Sequence, residues 1–220
     1  MNRHLPFPVI FEDRDIIVID KPAGLLTTNT RLWGRRAREE QATAENILTN
    51  HVRKGQSKSS KKVWLVHRLD RETSGVMMFA KSPEVAEYFR SNWARLTEKT
   101  YLARVRGKME AESGAYESYL KEDSDGYRVR SVPKSAKDAK YAKTEWRVLS
   151  AGRDFSLVEI KLHTGRKNQI RVHFAEAGHP VEGDEKYGGA KSRRLMLHSL
   201  ELKINSPRWA KPFRSEITWT

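Results

Sequence analysis

The sequence predicts an α+β fold built on a largely antiparallel or mixed sheet, and three observations carry that expectation. Short apolar or alternating runs bounded by turn residues recur along the chain. Amphipathic helical patterns are few, and the two kinds do not alternate strictly, as a parallel α/β sheet would require. At 220 residues the chain is long enough to bury a core of its own. It shows no internal repeat and no clear boundary, so residues 1–220 read as a single domain with basic loop insertions.

The elements follow from local signals. Val9-Ile10-Phe11, the polar turn Glu12 to Asp15 and the run Ile16 to Ile19 form a hairpin. Pro22, which lacks an N–H for a ladder, and Gly24 end its second strand. A basic, turn-rich stretch with Arg31, Arg35, Arg36 and Arg38 follows. Thr43 is placed to cap a short helix with Ile47, Leu48 and Val52 turned inward, and Gly55 to Lys62 (GQSKSSKK) is a flexible linker by composition. Val63 to Val66 and Val76 to Ala80 are short strands on either side of the polar run HRLDRETSG. Ser82-Pro83-Glu84 opens a helix with a cap, a first-turn proline and an acid at the positive end. Val85, Phe89, Trp93 and Leu96 recur at helical spacing as its core face. Tyr101 to Val105 is a strand ended by Gly107, and further strands are expected near 115–120, 144–149, 157–162, 195–204 and 216–219. Gln169 to Ala177 reads as a helix stopped by Gly178 and Pro180.

Composition narrows the function classes. Lys and Arg number 42 against 28 Asp and Glu, a net charge of +14, which favours a polyanionic partner: nucleic acid or an anionic membrane surface. No apolar run reaches the length of a membrane-spanning helix and the N-terminus carries no signal-peptide core, so a membrane is the weaker choice. The absence of cysteine excludes disulfides, thiolate metal sites and a Cys nucleophile, and is compatible with the cytoplasm. There is no HExxH, Walker loop or GxGxxG, and the seven histidines form no close ligand pair. Chemistry by side chains alone, without cofactor or metal, is the expectation.

HRLDRETSG (67–75) is the strongest candidate for that chemistry. A polar loop between two apolar strands lets a rigid scaffold present a carboxylate. Asp70 stands between Arg68 and Arg71, which favour its ionised, nucleophilic form, and Thr73, Ser74 and Gly75 suit a tight turn. On composition alone a hairpin loop of solvated charges is the commoner outcome. In TGRKNQIRVH (164–173), Arg166, Lys167 and the following helix N-terminus are placed to bind an anion, while Arg171, a turn further on, offers a bidentate fork to a carboxylate. Tyr101 and His198 lie in strands, where core roles are usual for their residue types.

Taken in order, HRLDRETSG (67–75), KTYLARVRG (99–107), HTGRKNQIRVH (163–173), GHPVEGDEKYG (178–188) and LMLHS (195–199) resemble the RluA-type pseudouridine synthases, as does IIVIDKPAGLL (16–26) at the entry strand. The resemblance runs from about residue 9 to the C-terminal strand. It implies a mixed, mostly antiparallel sheet with flanking helices and a cofactor-free isomerisation of uridine in rRNA or tRNA to pseudouridine. By matching position it makes Asp70 the catalytic aspartate, Tyr101 the active-site tyrosine and Arg171 the partner of the aspartate. Arg68 matches the residue that fills the stack when the target nucleotide is flipped out, and Gln169 and Leu197 fall in substrate-side blocks beside Arg166 and Lys167. Asn168 departs from the pattern TGRxHQ, which has histidine there, and this puts a local hydrogen bond in doubt. There is no room before residue 9 for an S4-like RNA-binding domain, so binding is expected to rest on the catalytic domain and the basic loops Arg31–Arg38, Lys58–Lys62 and Lys134–Lys143, with merely solvated linkers as the competing reading of those loops. A monomer is the default. The rival readings are a non-catalytic RNA-binding or RNA-folding protein of the same fold and an RNA hydrolase using Asp70 as general base, which lacks a partner acid or metal site.

Overall fold

A computed structural model describes residues 5–29, 42–54, 56, 58–217 and 219. The arginine-rich stretch from Arg31 to Arg38 lies outside the described residues. The N-terminal hairpin is β1 (Val9–Glu12) and β2 (Ile16–Lys21), and its turn is pinned by the Asp13 carboxylate, which accepts from the N–H groups of Asp15 and Ile16. Helix α1 (Ala44–Val52) starts where expected, with the Thr43 hydroxyl accepting from Asn46 N–H. Then come β3 (Trp64–Leu65), β4 (Ser74–Ala80) and helix α2 (Pro83–Leu96), capped by Ser82. The second half holds β5 (Thr97–Arg106), β6 (Ser113–Glu122), β7 (Val129–Val132), β8 (Lys140–Ala151) and β9 (Phe155–Leu162). Helix α3 (Gln169–Glu176), a 3-10 turn at Glu185–Tyr187, β10 (Leu197–Ile204) and β11 (Lys211–Arg214) complete the elements of the described residues.

All the described strands join one sheet, in the order β1-β2-β4-β10-β5-β9-β8-β6-β7, with β11 beside β10 and β3 beside β4. Every pairing is antiparallel except β4 with β10. The sheet is therefore mixed and mostly antiparallel, as the sequence predicts. Alternation along β2 and β4 splits the core between two faces. Ile17, Ile19, Met77 and Phe79 pack with Leu48 of α1 and Phe174 of α3, while Ile16, Val18, Val76 and Met78 pack with Phe89 and Leu96 of α2. Burial on both faces explains why β4 is apolar without a break after Gly75. Gly75 sits at the parallel junction at φ +110°, where a Cβ would lie 2.2 Å from the Ser199 carbonyl oxygen, so only glycine fits.

Two expectations need correction. Among the described residues the last strand is Lys211–Arg214, which pairs with β10 and plugs Phe213 into the core, whereas Glu216 and Ile217 of the expected strand are exposed and Thr218 lies outside the described residues. Pro212 is tolerated because β11 is an edge strand. The short edge strand β7 was not expected at all, since only Val129 of its four residues is buried. No helix of the described residues is long and apolar enough to cross a membrane.

Candidate active site

The loop carrying Asp70 is tied down from several sides. His67 opens it: its Nε2 accepts the Met78 N–H at 3.0 Å and its ring stacks on Trp93, 4.5 Å between centroids. Burial pushes the imidazole pKa down to about 3, so the ring stays neutral and keeps that acceptor. Leu69 is buried, and its carbonyl accepts from the Thr27 hydroxyl at 2.8 Å. Lys21, fully buried at the end of β2, donates to the carbonyls of Pro22, Leu25 and Arg71. Burial lowers the ammonium pKa to about 8, with Glu72 and Asp70 acting in the opposite direction. The Thr73 N–H closes the turn onto the Asp70 carbonyl. Asp70 is thus presented by a fixed loop, with its side chain 22% exposed.

Helix α3 brings Arg171 to it, but the fork goes elsewhere. Arg171 Nε and Nη2 each lie 2.7 Å from the carboxylate oxygens of Asp184, a bidentate pair with both side chains buried. Arg171 then reaches Asp70 Oδ2 with Nη1 at 3.5 Å, and Glu72 at 3.7 Å. Burial works to lower the guanidinium pKa, yet hydrogen bonds and charge from Asp184, and then the charges of Asp70 and Glu72, raise it overall. The sequence-level pairing of Arg171 with Asp70 is therefore a secondary contact, and Asp184 is the residue that reading missed. Replacing Asp184 by Asn would leave a buried guanidinium short of its counter-charge, and such losses cost about 3–5 kcal/mol. Urea unfolding of Asp184→Asn should show a loss of that order, and a change below about 0.5 kcal/mol would contradict the pairing.

Tyr101 enters from β5, 7% exposed and paired across the sheet with Ser199 and Ile160. Burial drives its phenol pKa up to about 12; a hydrogen bond with Ser199 opposes this and the charge of Asp70 adds to it. The phenol is neutral near pH 7. Leu197 is buried in the same core cluster as Tyr101 and Leu69. Arg68 is exposed beside Leu69, and no carboxylate pairs with it among the described residues.

The remaining expected substrate residues have partners of their own. Gln169 is buried and spends its amide on Lys143, Thr144, Thr164 and the Arg166 N–H, so it clamps the loop to β8. Arg166 donates to the Tyr141 carbonyl and Lys167 to Glu122 and the Gly126 carbonyl. An anion at this turn would have to displace Glu122 from Lys167. Asn168, doubted from the sequence, does make a hydrogen bond: its Nδ2 donates to Asp70 Oδ2 at 2.6 Å. His198 is a buried strand residue, its Nδ1 2.7 Å from the Ser74 hydroxyl. Among the described residues no cluster of three or more His, Cys, Asp or Glu is placed to hold a metal ion.

Comparison with known proteins places the chain in a family. The family model described as RNA pseudouridylate synthase matches residues 15–176. A ribosomal large subunit pseudouridine synthase D of Borreliella burgdorferi is 33% identical over 92% of this chain and 62% of its own length. A tRNA pseudouridine synthase C of Vibrio parahaemolyticus is 33% identical over 94% of this chain and 86% of its own. Several of the curated relatives are longer, the chain spanning 60% and 57% of two RNA pseudouridine synthases from Chlorobaculum parvum and Aquifex aeolicus. In fold, the chain is similar to human RNA pseudouridylate synthase domain containing 4, with a TM-score of 0.78 at 22% identity over 96% of this chain and 88% of that one. With a family match over residues 15–176 and relatives 33% identical over more than nine-tenths of this chain, the chain belongs to the RNA pseudouridylate synthases.

Proposed function

We propose that the chain isomerises uridine in structured RNA, ribosomal or transfer, to pseudouridine, with Asp70 as nucleophile on an extruded nucleotide. The observation that carries this reading is one partly exposed carboxylate that pairs with a buried, Asp184-anchored guanidinium and whose charge acts on a buried tyrosine. The reaction breaks the N1–C1′ bond, forms a C5–C1′ bond, takes the C5 proton away and leaves a proton on N1. Atoms and electrons balance without oxidant, reductant or water, so the chemistry needs no cofactor. A uracil inside a stem cannot turn over in the stack, and extrusion costs a few kcal/mol. Arg68, cationic, planar and exposed, is suited to stack in the vacated space and recover part of that cost. Arg171 keeps Asp70 supplied with positive charge, while Asp184 holds the guanidinium in one orientation. Tyr101 offers a ring for uracil to stack on and a hydroxyl as the candidate group for the C5 proton. These residues come from one chain, so a monomer suffices, and a cytoplasmic setting fits a chain without cysteine.

The net charge of +14 favours phosphate contacts, and Lys58, Lys61 and Lys62 are exposed in the loop before β3. Neutralising the three together should weaken RNA binding and flatten the plot of log affinity against log salt by about two units, at roughly 0.7–0.9 per phosphate contact. An unchanged slope would return that loop to a solvated linker. Mapping pseudouridines in cellular RNA with and without the protein tests the proposed function: sites that vanish in its absence are expected, and an unaltered map would overturn it.

A further inference from the structure

We infer that Asn168 is a positioning residue that locks the Asp70 carboxylate by donating to Oδ2 and so leaves Oδ1 as the attacking oxygen. The inference deepens the proposed function and rests on it. Asn168 ends the loop before α3 at φ +53°, in the left-handed region that asparagine tolerates better than most residues. Its side chain caps no backbone group of α3, so it is not serving the helix. Its amide is instead oriented by two donors: the Tyr187 hydroxyl at 3.1 Å and Lys186 Nζ at 3.3 Å both reach Oδ1. With the oxygen facing those donors, Nδ2 must face Asp70, where it lies 2.6 Å from Oδ2. Lys186 is held in turn by the Tyr127 carbonyl, and Tyr187 donates while its own oxygen accepts the Val129 N–H at 3.0 Å. The orientation of one amide is thus fixed by the 3-10 turn and the β6–β7 hairpin together.

Arg171 Nη1 approaches the same Oδ2 at 3.5 Å, and among the described residues nothing donates to Oδ1. The carboxylate therefore has one saturated oxygen and one open to a substrate. A nucleophile whose rotamer is fixed in this way reacts without first losing side-chain freedom. Asn168 acts through Asp70 and needs no contact with the reacting nucleotide.

Two variants separate donation from mere space filling. Asn168→Gly keeps the left-handed backbone without strain and removes the amide. Asn168→Asp keeps the shape but sets an acceptor against Asp70. At pH 8, with unfolding midpoints measured alongside, kcat should fall in the order wild type, Gly, Asp. The Gly variant should lose about ten- to a hundredfold, as expected for a hydrogen bond to a charged group, with KM within about threefold. A role in packing alone gives the reverse order, with Asp close to wild type, and that result would overturn the inference. Wild-type protein that forms no pseudouridine would count against the proposed function instead, so the two failures are distinguishable.

Discussion

Replacing Asp70 by Asn will abolish isomerisation while leaving RNA affinity within about threefold. Affinity for RNA comes chiefly from phosphate contacts, to which one loop carboxylate contributes little. The substitution is nearly isosteric, and its oxygen still offers Arg171 Nη1 an acceptor, so the loop tied down by Thr27, Lys21 and His67 should stay in place. What is lost is the anionic oxygen, and an amide has no comparable nucleophilicity. The rate should drop by far more than a hundredfold, a barrier increase of well over about 3 kcal/mol. Single-turnover assays on an RNA substrate measure it directly. A variant that kept more than about a hundredth of the wild-type rate would remove Asp70 from the nucleophile's place.

The second large effect is expected at Tyr101→Phe, which keeps the ring and deletes only the hydroxyl. Binding and extrusion should survive, because a phenyl ring stacks on a base nearly as well. Release of tritium from C5 should fall by about 10²- to 10⁴-fold, the usual contribution of a general acid–base group. The raised pKa sets the sign of the accompanying pH dependence. With the phenol pushed up to about 12 by burial, the phenolate is scarce at neutral pH and its fraction rises about tenfold per unit below the pKa. The proton-release step of the wild type should therefore accelerate with pH between about 8 and 10 and lose that dependence in Tyr101→Phe. Near-wild-type tritium release by the variant would leave Tyr101 as a stacking platform and pass the proton to another group, with Asp70, whose charge acts on the phenol, the candidate.

Much of the fold was legible because its signals are local. Thr43 and Ser82 cap helices by reaching N–H groups three residues on, and Pro22 and Gly24 stop a strand through their own backbone chemistry. The polar loop that carries Asp70 was legible through the apolar strands on either side of it. The pairing that governs Arg171 was not. Asp184 lies 13 residues further on, beyond the end of α3, and Asn168 reaches Asp70 across 98 residues of sequence. No periodicity connects a helix to a turn that follows it, so both contacts are facts of tertiary packing. The same limit misplaced the last strand. Lys211-Pro212-Phe213-Arg214 has poor strand propensity, and only the edge position and the burial of Phe213 make it one. The partners of Arg166, Lys167 and Gln169 were not legible, because Tyr141, Glu122, Lys143 and Thr144 come from strands distant in sequence.

Nucleoside analysis of ribosomal and transfer RNA incubated with purified wild-type protein, beside the Asp70→Asn variant, tests the central claim most directly. Isomerisation predicts that each uridine lost reappears as pseudouridine, with RNA length unchanged and no free uracil, and that Asp70→Asn gives neither change. RNA bound but unaltered by the wild type, or uridine lost as free uracil or as shortened strands, would contradict it.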